Sequence, residues 1–289
     1  MVVDRPSSTD TSHKGVFNGT EYQIDSRKKE QKEWLVCVHG VGMNRAFWQP
    51  QIDVLSSSYR VLSYDIMGHG NSLLPPNPCS LKDYNRQLLE LLDHLQVSET
   101  KVLGHSLGAL IALEFALNNS DRVTQLVALN GVYCRPQDQA VQVQERAEML
   151  ANGQAELLVE ETLHRWFGAE LSALEQERRQ CLRQWLLQVE PKGYARAYQL
   201  FARSDRAHEN RLEQLSVPAL FATGELDPNS TPEMSKDMSA AAPYGQFVVL
   251  PEMRHAMPYV NAETVNGLVL DFFSHSVGSS CTIAEIGGA

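Results

Sequence analysis

A serine stands between two glycines in "GHSLG", Gly104 to Gly108, where the apolar run "KVLGH" meets the helical pattern "LGALIALEFAL". A hydroxyl is a weak nucleophile at neutral pH, so it needs a base beside it and an acid to orient that base. In G-x-S-x-G the small residues allow a sharp strand-to-helix turn. The turn lifts Ser106 above the carboxyl edge of a sheet, at a helix N-terminus that favours developing negative charge. A serine helix cap flanked by packing glycines would show the same letters. The position between a predicted strand and a predicted helix favours the chemical reading.

On such a turn the acid and then the base should follow in chain order. Asp227 closes "FATGELD" and His255 closes "VVLPEMRH", each just past the carboxyl end of a predicted strand. Either alone reads as an ordinary loop residue, Asp227 as a cap before "PNSTPEM". Three such residues in order at three strand ends are less easily dismissed. Glu225 is the second candidate acid and His275, in the last helical pattern, the second candidate base. The oxyanion of acyl transfer needs two N–H donors. Leu107, directly after the nucleophile, should supply one. Val41, in the glycine-bearing loop "HGVGMN" (His39 to Asn44), should supply the other. The expected chemistry is two-step acyl transfer through Ser106, His255 and Asp227, which requires no metal and no cofactor.

Positioning these residues calls for a parallel sheet. Short runs apolar on both faces, "EWLVCVHG", "YRVLSYDIMG", "TKVLGHS" and "RVTQLVALNG", alternate with the helical patterns "LKDYNRQLLELLDHL" and "LGALIALEFALNNS". That alternation predicts α/β architecture with helices covering the sheet. "GVFNGTEYQID" reads as an opening hairpin around Asn-Gly. After Gly131 the rhythm stops. Residues 132–214 show only helical patterns, and strands resume at "VPALFATG" and "GQFVVL", with "AETVNGLVLDFFSH" as a closing helix. The expected division is therefore a core of residues 13–131 and 215–276, a helical cap of 132–214, a loose N-terminus of 1–12 and a loose tail of 277–289.

The chain has 289 residues, 43% of them hydrophobic, and a formal net charge of −10. This is the composition of a soluble globular protein. With no basic patch or polybasic run, it argues against nucleic acid and anionic membranes as partners. No apolar stretch approaches the ~20 residues of a spanning helix, and no secretory signal precedes the first predicted strand. Five scattered cysteines, an odd number without C-x-x-C spacing, suggest neither a disulfide framework nor a zinc site and fit a reducing, cytoplasmic setting. The expected partner is a small-molecule substrate, and the expected assembly a monomer or homodimer.

Five motifs together, "HGVGMN", "DIMGHGNS", "GHSLG", "GELDP" and "RH", resemble the α/β-hydrolase superfamily in its capped, serine-esterase branch. The resemblance runs from Trp34 to His255. It implies an α/β-hydrolase fold, with a mostly parallel eight-stranded sheet flanked by helices and an all-helical cap inserted after the sixth strand. "RWF" (Arg165 to Phe167) looks like the cap of 3-oxoadipate enol-lactonases and ring-cleavage-product hydrolases, which would turn Trp166 toward the pocket; a core aromatic of the cap is the equal alternative. Dehalogenases and epoxide hydrolases of this superfamily carry an aspartate nucleophile and a proline where Gly42 stands, which argues against those activities.

Ten of the seventeen arginines fall in 132–214, against one of the eight lysines. Arginine grips carboxylates bidentately. Arg135, Arg165 and Arg203 are therefore candidates for a substrate carboxylate, with Arg45 and Arg254 near the oxyanion loop and the base. Pairing with the thirteen acidic residues of the same segment is the competing explanation. Taken with these arginines, the resemblance implies a hydrolase of an ester or enol-lactone in the catabolism of aromatic compounds, its substrate a small metabolite expected to carry a carboxylate. Hydrolysis of a C–C or amide bond in a ring-opened catabolite, a ligand receptor without turnover, and a cofactor-free perhydrolase are the alternatives.

Overall fold

The computed structural model describes residues 11–27 and 33–275. Its eight strands are β1 (Thr11–Phe17), β2 (Thr20–Ser26), β3 (Trp34–Val38), β4 (Arg60–Tyr64), β5 (Thr100–His105), β6 (Val123–Leu129), β7 (Ala219–Gly224) and β8 (Gly245–Leu250). They form one sheet in the order β1-β2-β4-β3-β5-β6-β7-β8. The opening hairpin pairs antiparallel, and β2 runs antiparallel to β4; every later pairing is parallel. The Asn-Gly turn is where the sequence places it, with Asn18 and Gly19 both at positive φ.

Among the described residues ten α-helices accompany the strands: α1 (Gln49–Leu55), α2 (Leu81–His94), α3 (Leu107–Asn118), α4 (Gln137–Ala151), α5 (Ala155–Phe167), α6 (Ala173–Gln188), α7 (Pro191–Ala202), α8 (Pro232–Ala241), α9 (Met257–Val260) and α10 (Ala262–Ser274). The central strands β5, β6 and β7 are buried almost throughout, as runs apolar on both faces require. The helix after the serine, α3, is buried along ten consecutive residues from Leu107 to Ala116, so it has no polar face. Its one acid, Glu114, is held by Arg211 (2.7 Å) and lies 3.3 Å from His208.

Between β6 and β7 the chain forms α4 to α7, and no strand interrupts them. Six of the segment's ten arginines pair with its own acids, and three others fasten it to the sheet side. Arg178 donates to the carbonyls of Tyr259 and Val260, Arg196 to that of Pro75 (2.6 Å), and Arg203 to that of Cys79. Gly193 on α7 meets Gly68 backbone to backbone: a β-carbon on Gly193 would lie 2.3 Å from the Gly68 carbonyl oxygen.

Three elements depart from the sequence reading. Helices α1 and α8 are too short and too sparsely apolar to show a helical stripe. Strand β1 begins at Thr11, inside the segment expected to be loose, because Thr11 pairs with Ser26 across the hairpin. The rest of that segment and the tail from 277 lie outside the described residues. Among the described residues, no helix is long and apolar enough to cross a membrane.

Candidate active site

Ser106 links β5 to α3 with φ 57° and ψ −119°. A side-chain-bearing residue reaches this region only where its surroundings enforce it. The two glycines allow the turn. A β-carbon on Gly104 would lie 2.3 Å from the Gly108 carbonyl oxygen, and one on Gly108 would lie 2.1 Å from that of Val38. The Ser106 amide donates to Leu129 O (2.9 Å), which ties the turn to the end of β6.

Asp227 follows β7 and is 3% exposed. Its Oδ2 accepts from His255 Nδ1 (2.7 Å) and from Asn130 Nδ2 (2.8 Å). Its Oδ1 accepts from the amides of Asn229 (2.8 Å) and Ser230 (3.3 Å). Four donors thus converge on one buried carboxylate. The bond at Nδ1 leaves the Nε2 of a neutral His255 as the free acceptor. Asn130, at the end of β6 with φ 50°, has no precedent in the sequence reading. The only trace of it is "LNG", an asparagine before glycine at a strand end.

The loop after β3 is held by two buried histidines that grip in opposite directions. His39 donates to Gly40 O (2.8 Å) and accepts from the Ile66 amide (3.1 Å). His69, on the facing loop, accepts from the Gly42 amide (2.9 Å). Both ring nitrogens at Nε2 must be unprotonated to accept. Burial supplies that condition, lowering His39 far below its ordinary range and His69 to about 4. Gly42 sits at φ 77°, and a β-carbon there would strike Leu186 of α6 at 2.8 Å. Leu107 opens α3, so its amide is among the first-turn N–H groups that have no partner within the helix.

A narrow cavity joins these parts. Its floor is Val41, Ser106, Asn229 and His255. Its roof is Thr162, Arg165 and Trp166 from α5 and Tyr194, Tyr198 and Phe201 from α7. Trp166 therefore turns inward, its ring 5.9 Å from that of His255 and inclined by 29°. Arg165 pairs with Glu161 and donates to Thr162 Oγ1 (3.1 Å), while its Nε is buried without a partner. Burial and the neighbouring Arg146 draw its pKa below the usual guanidinium range. Arg146 donates to the Tyr198 hydroxyl (3.3 Å) and shares Glu161 with Arg165. One carboxylate thus serves two guanidinium groups at the roof.

The other candidates lie elsewhere. Arg135 does not line the cavity: it pairs with Asp205 and stacks on Phe201 at 4.5 Å, behind the wall. Arg45 binds Asp65 and Glu21, and Arg254 reaches Leu226 O (3.3 Å). Glu225 accepts from the exposed Glu252 amide (3.1 Å), and His275 binds Asp271 O (2.6 Å) on α10. Neither substitutes for Asp227 or His255. Cys37 is buried in β3, and burial pushes its thiol pKa upward, which leaves it inert.

Residues 33–262 match the family described as alpha/beta hydrolase fold. The chain belongs to that family. It is 36% identical over 235 residues to an (E)-2-((N-methylformamido)methylene)succinate hydrolase of Acinetobacter baylyi, covering 81% of this chain and 88% of that one. It is 29% identical over 233 residues to 3-oxoadipate enol-lactonase 1 of the same species, covering 80% and 85%. Among solved structures, an enol-lactonase from Burkholderia xenovorans superposes with a TM-score of 0.82 at 26% identity, over 91% of this chain and all of the other. The family and the named relatives make this chain a hydrolase.

Proposed function

We propose that the protein is a serine hydrolase of a small, carboxylate-bearing metabolite, acting through an acyl-enzyme on Ser106. The observation that carries the reading is a cavity lined by both Ser106 and His255, with Nδ1 of His255 held by the buried Asp227. His255 takes the proton of Ser106 through Nε2. Ser106 attacks the substrate carbonyl, and the amides of Val41 and Leu107 receive the oxyanion. His255 then protonates the leaving atom, and water repeats the sequence on the acyl group. Each oxyanion donor lowers the barrier by about 3 kcal/mol in comparable sites. Helices α4 to α7 act as the cap that excludes bulk water. Trp166 and Arg165 are the substrate-facing residues of that cap, with Arg146 beside them, and Arg135 supports Phe201 from behind.

An ester or enol-lactone is the first substrate class, by likeness to the enol-lactonases. Cleavage of an acyl–nitrogen bond is the second. It is favoured by the relative named for a formamido-bearing succinate and by the excess of guanidinium groups at the roof, which suits an acidic substrate. The test is turnover of p-nitrophenyl acetate by the wild type and by Ser106→Ala, with a panel of enol-lactones and N-acyl enamine succinates. Ser106→Ala should fold and lose all turnover. Activity near that of the wild type would refute the assignment. Release of an amine rather than an enol selects between the two bond types.

A further inference from the structure

The base in the proposed mechanism sits on a loop between β8 and α9, and a loop histidine is only as well placed as its backbone. The peptide joining His255 to Ala256 is held at both ends. Its carbonyl accepts from Nε2 of His105 (2.8 Å), and its N–H donates to the carbonyl of Trp166 on α5 (3.4 Å). His105 is the last residue of β5, immediately before Ser106. It is wholly buried, its ring 4.8 Å from Phe47 and 4.9 Å from the ring of His255. Because Nε2 donates, the lone pair of the neutral ring lies at Nδ1, and Nδ1 has no partner. An apolar residue of similar size would avoid that orphaned acceptor. The imidazole therefore has a use beyond packing, and its one bond goes to the backbone of the base. Burial and the adjacent His255 hold His105 neutral.

We propose that His105 is a positioning residue: its Nε2–H fixes the His255 peptide relative to Ser106, so that nucleophile and base are set by one strand end. Asp227 orients the imidazole ring of His255; His105 sets where the backbone carrying that ring lies. The Trp166 carbonyl completes the hold from the cap side. The inference rests on the triad reading above.

The test compares His105→Leu, His105→Gln and His105→Asn in p-nitrophenyl acetate hydrolysis, with thermal midpoints recorded for each. The glutamine amide nitrogen lies as many bonds from the backbone as Nε2, whereas that of asparagine falls short. His105→Leu and His105→Asn should lose about tenfold to a hundredfold in kcat, as a displaced catalytic group does, with KM little changed. His105→Gln should recover most of kcat. A purely structural role would lower the midpoints without this dependence on reach. Should the leucine variant fail to fold, the glutamine–asparagine pair decides. Equal kcat in those two, or an unaffected leucine variant, overturns the inference. Ser106→Ala separates the two levels: if it is inactive while His105→Leu is unaffected, only the positioning role falls; if it is active, both fall.

Discussion

Replacing Asp227 by asparagine changes a single atom type at the most heavily hydrogen-bonded carboxylate of the site. Oδ1 accepts two backbone amides, so the asparagine oxygen should remain there and its NH2 should turn to the Oδ2 position. That NH2 would then confront two donors, His255 Nδ1 and Asn130 Nδ2. His255 can respond only by shifting its proton to Nε2, which then has no lone pair with which to receive the Ser106 proton. The imidazolium formed in the transition state also loses its counter-charge. At a separation of ~4 Å and an effective dielectric near 20, that attraction amounts to about 4 kcal/mol, or roughly a thousandfold in rate. The tautomer change adds to it, and the same substitution in a serine protease costs about 10⁴-fold. The expected loss in kcat for p-nitrophenyl acetate is therefore about 10³ to 10⁴-fold, with KM nearly unchanged. Initial rates on protein whose circular dichroism matches the wild type give the answer. A loss smaller than about tenfold would show that His255 does not depend on this carboxylate, and the proposed triad would be wrong.

Stability should fall with acid through the buried histidines that hold the loop after β3. His69 protonates near 6.5 when unfolded and at about 4 when folded. Its stabilisation is complete above pH 6.5 and is lost as pH drops toward 4, about 3 kcal/mol in all. Asp65, raised by burial, works in the opposite direction over part of this range. Urea midpoints of the wild type and His69→Gln between pH 4 and 7 isolate the histidine, and parallel curves would contradict the assignment. At the roof, Arg165→Gln should raise KM for a carboxylate-bearing substrate by about tenfold to a hundredfold, the loss of one charge-assisted hydrogen bond. p-Nitrophenyl acetate, which has no carboxylate, should be hydrolysed as before; an equal effect on both substrates would remove Arg165 from substrate recognition.

The arginines mark the boundary of what could be read in advance. Their crowding in 132–214 is plain in the sequence, and a substrate carboxylate is a fair expectation for them. In the fold Arg178, Arg196 and Arg203 end on backbone carbonyls of distant segments. A carbonyl acceptor is carried by every residue, so no local pattern reveals which ones will be brought within reach. Arg165 and Trp166 do line the cavity, but Arg135, chosen on the same grounds, stands behind Phe201. Arg146 and Tyr198 escaped notice because helical spacing says which residues share a face, not which face a neighbouring helix will cover.

The strand–helix alternation, the glycine-flanked serine turn and the order of Ser106, Asp227 and His255 were legible in the linear chain. Each depends on short-range rules: apolar runs of strand length, steric room for a tight turn, and residues placed where strands end. Tertiary structure alone decided what completes the site: Asn130 on Asp227, His69 on Gly42, His105 on the His255 peptide, and α5 and α7 roofing the cavity. These are hydrogen bonds and contacts between segments far apart in sequence. Their partners are set by how the sheet orders its strands and where the inserted helices come to rest.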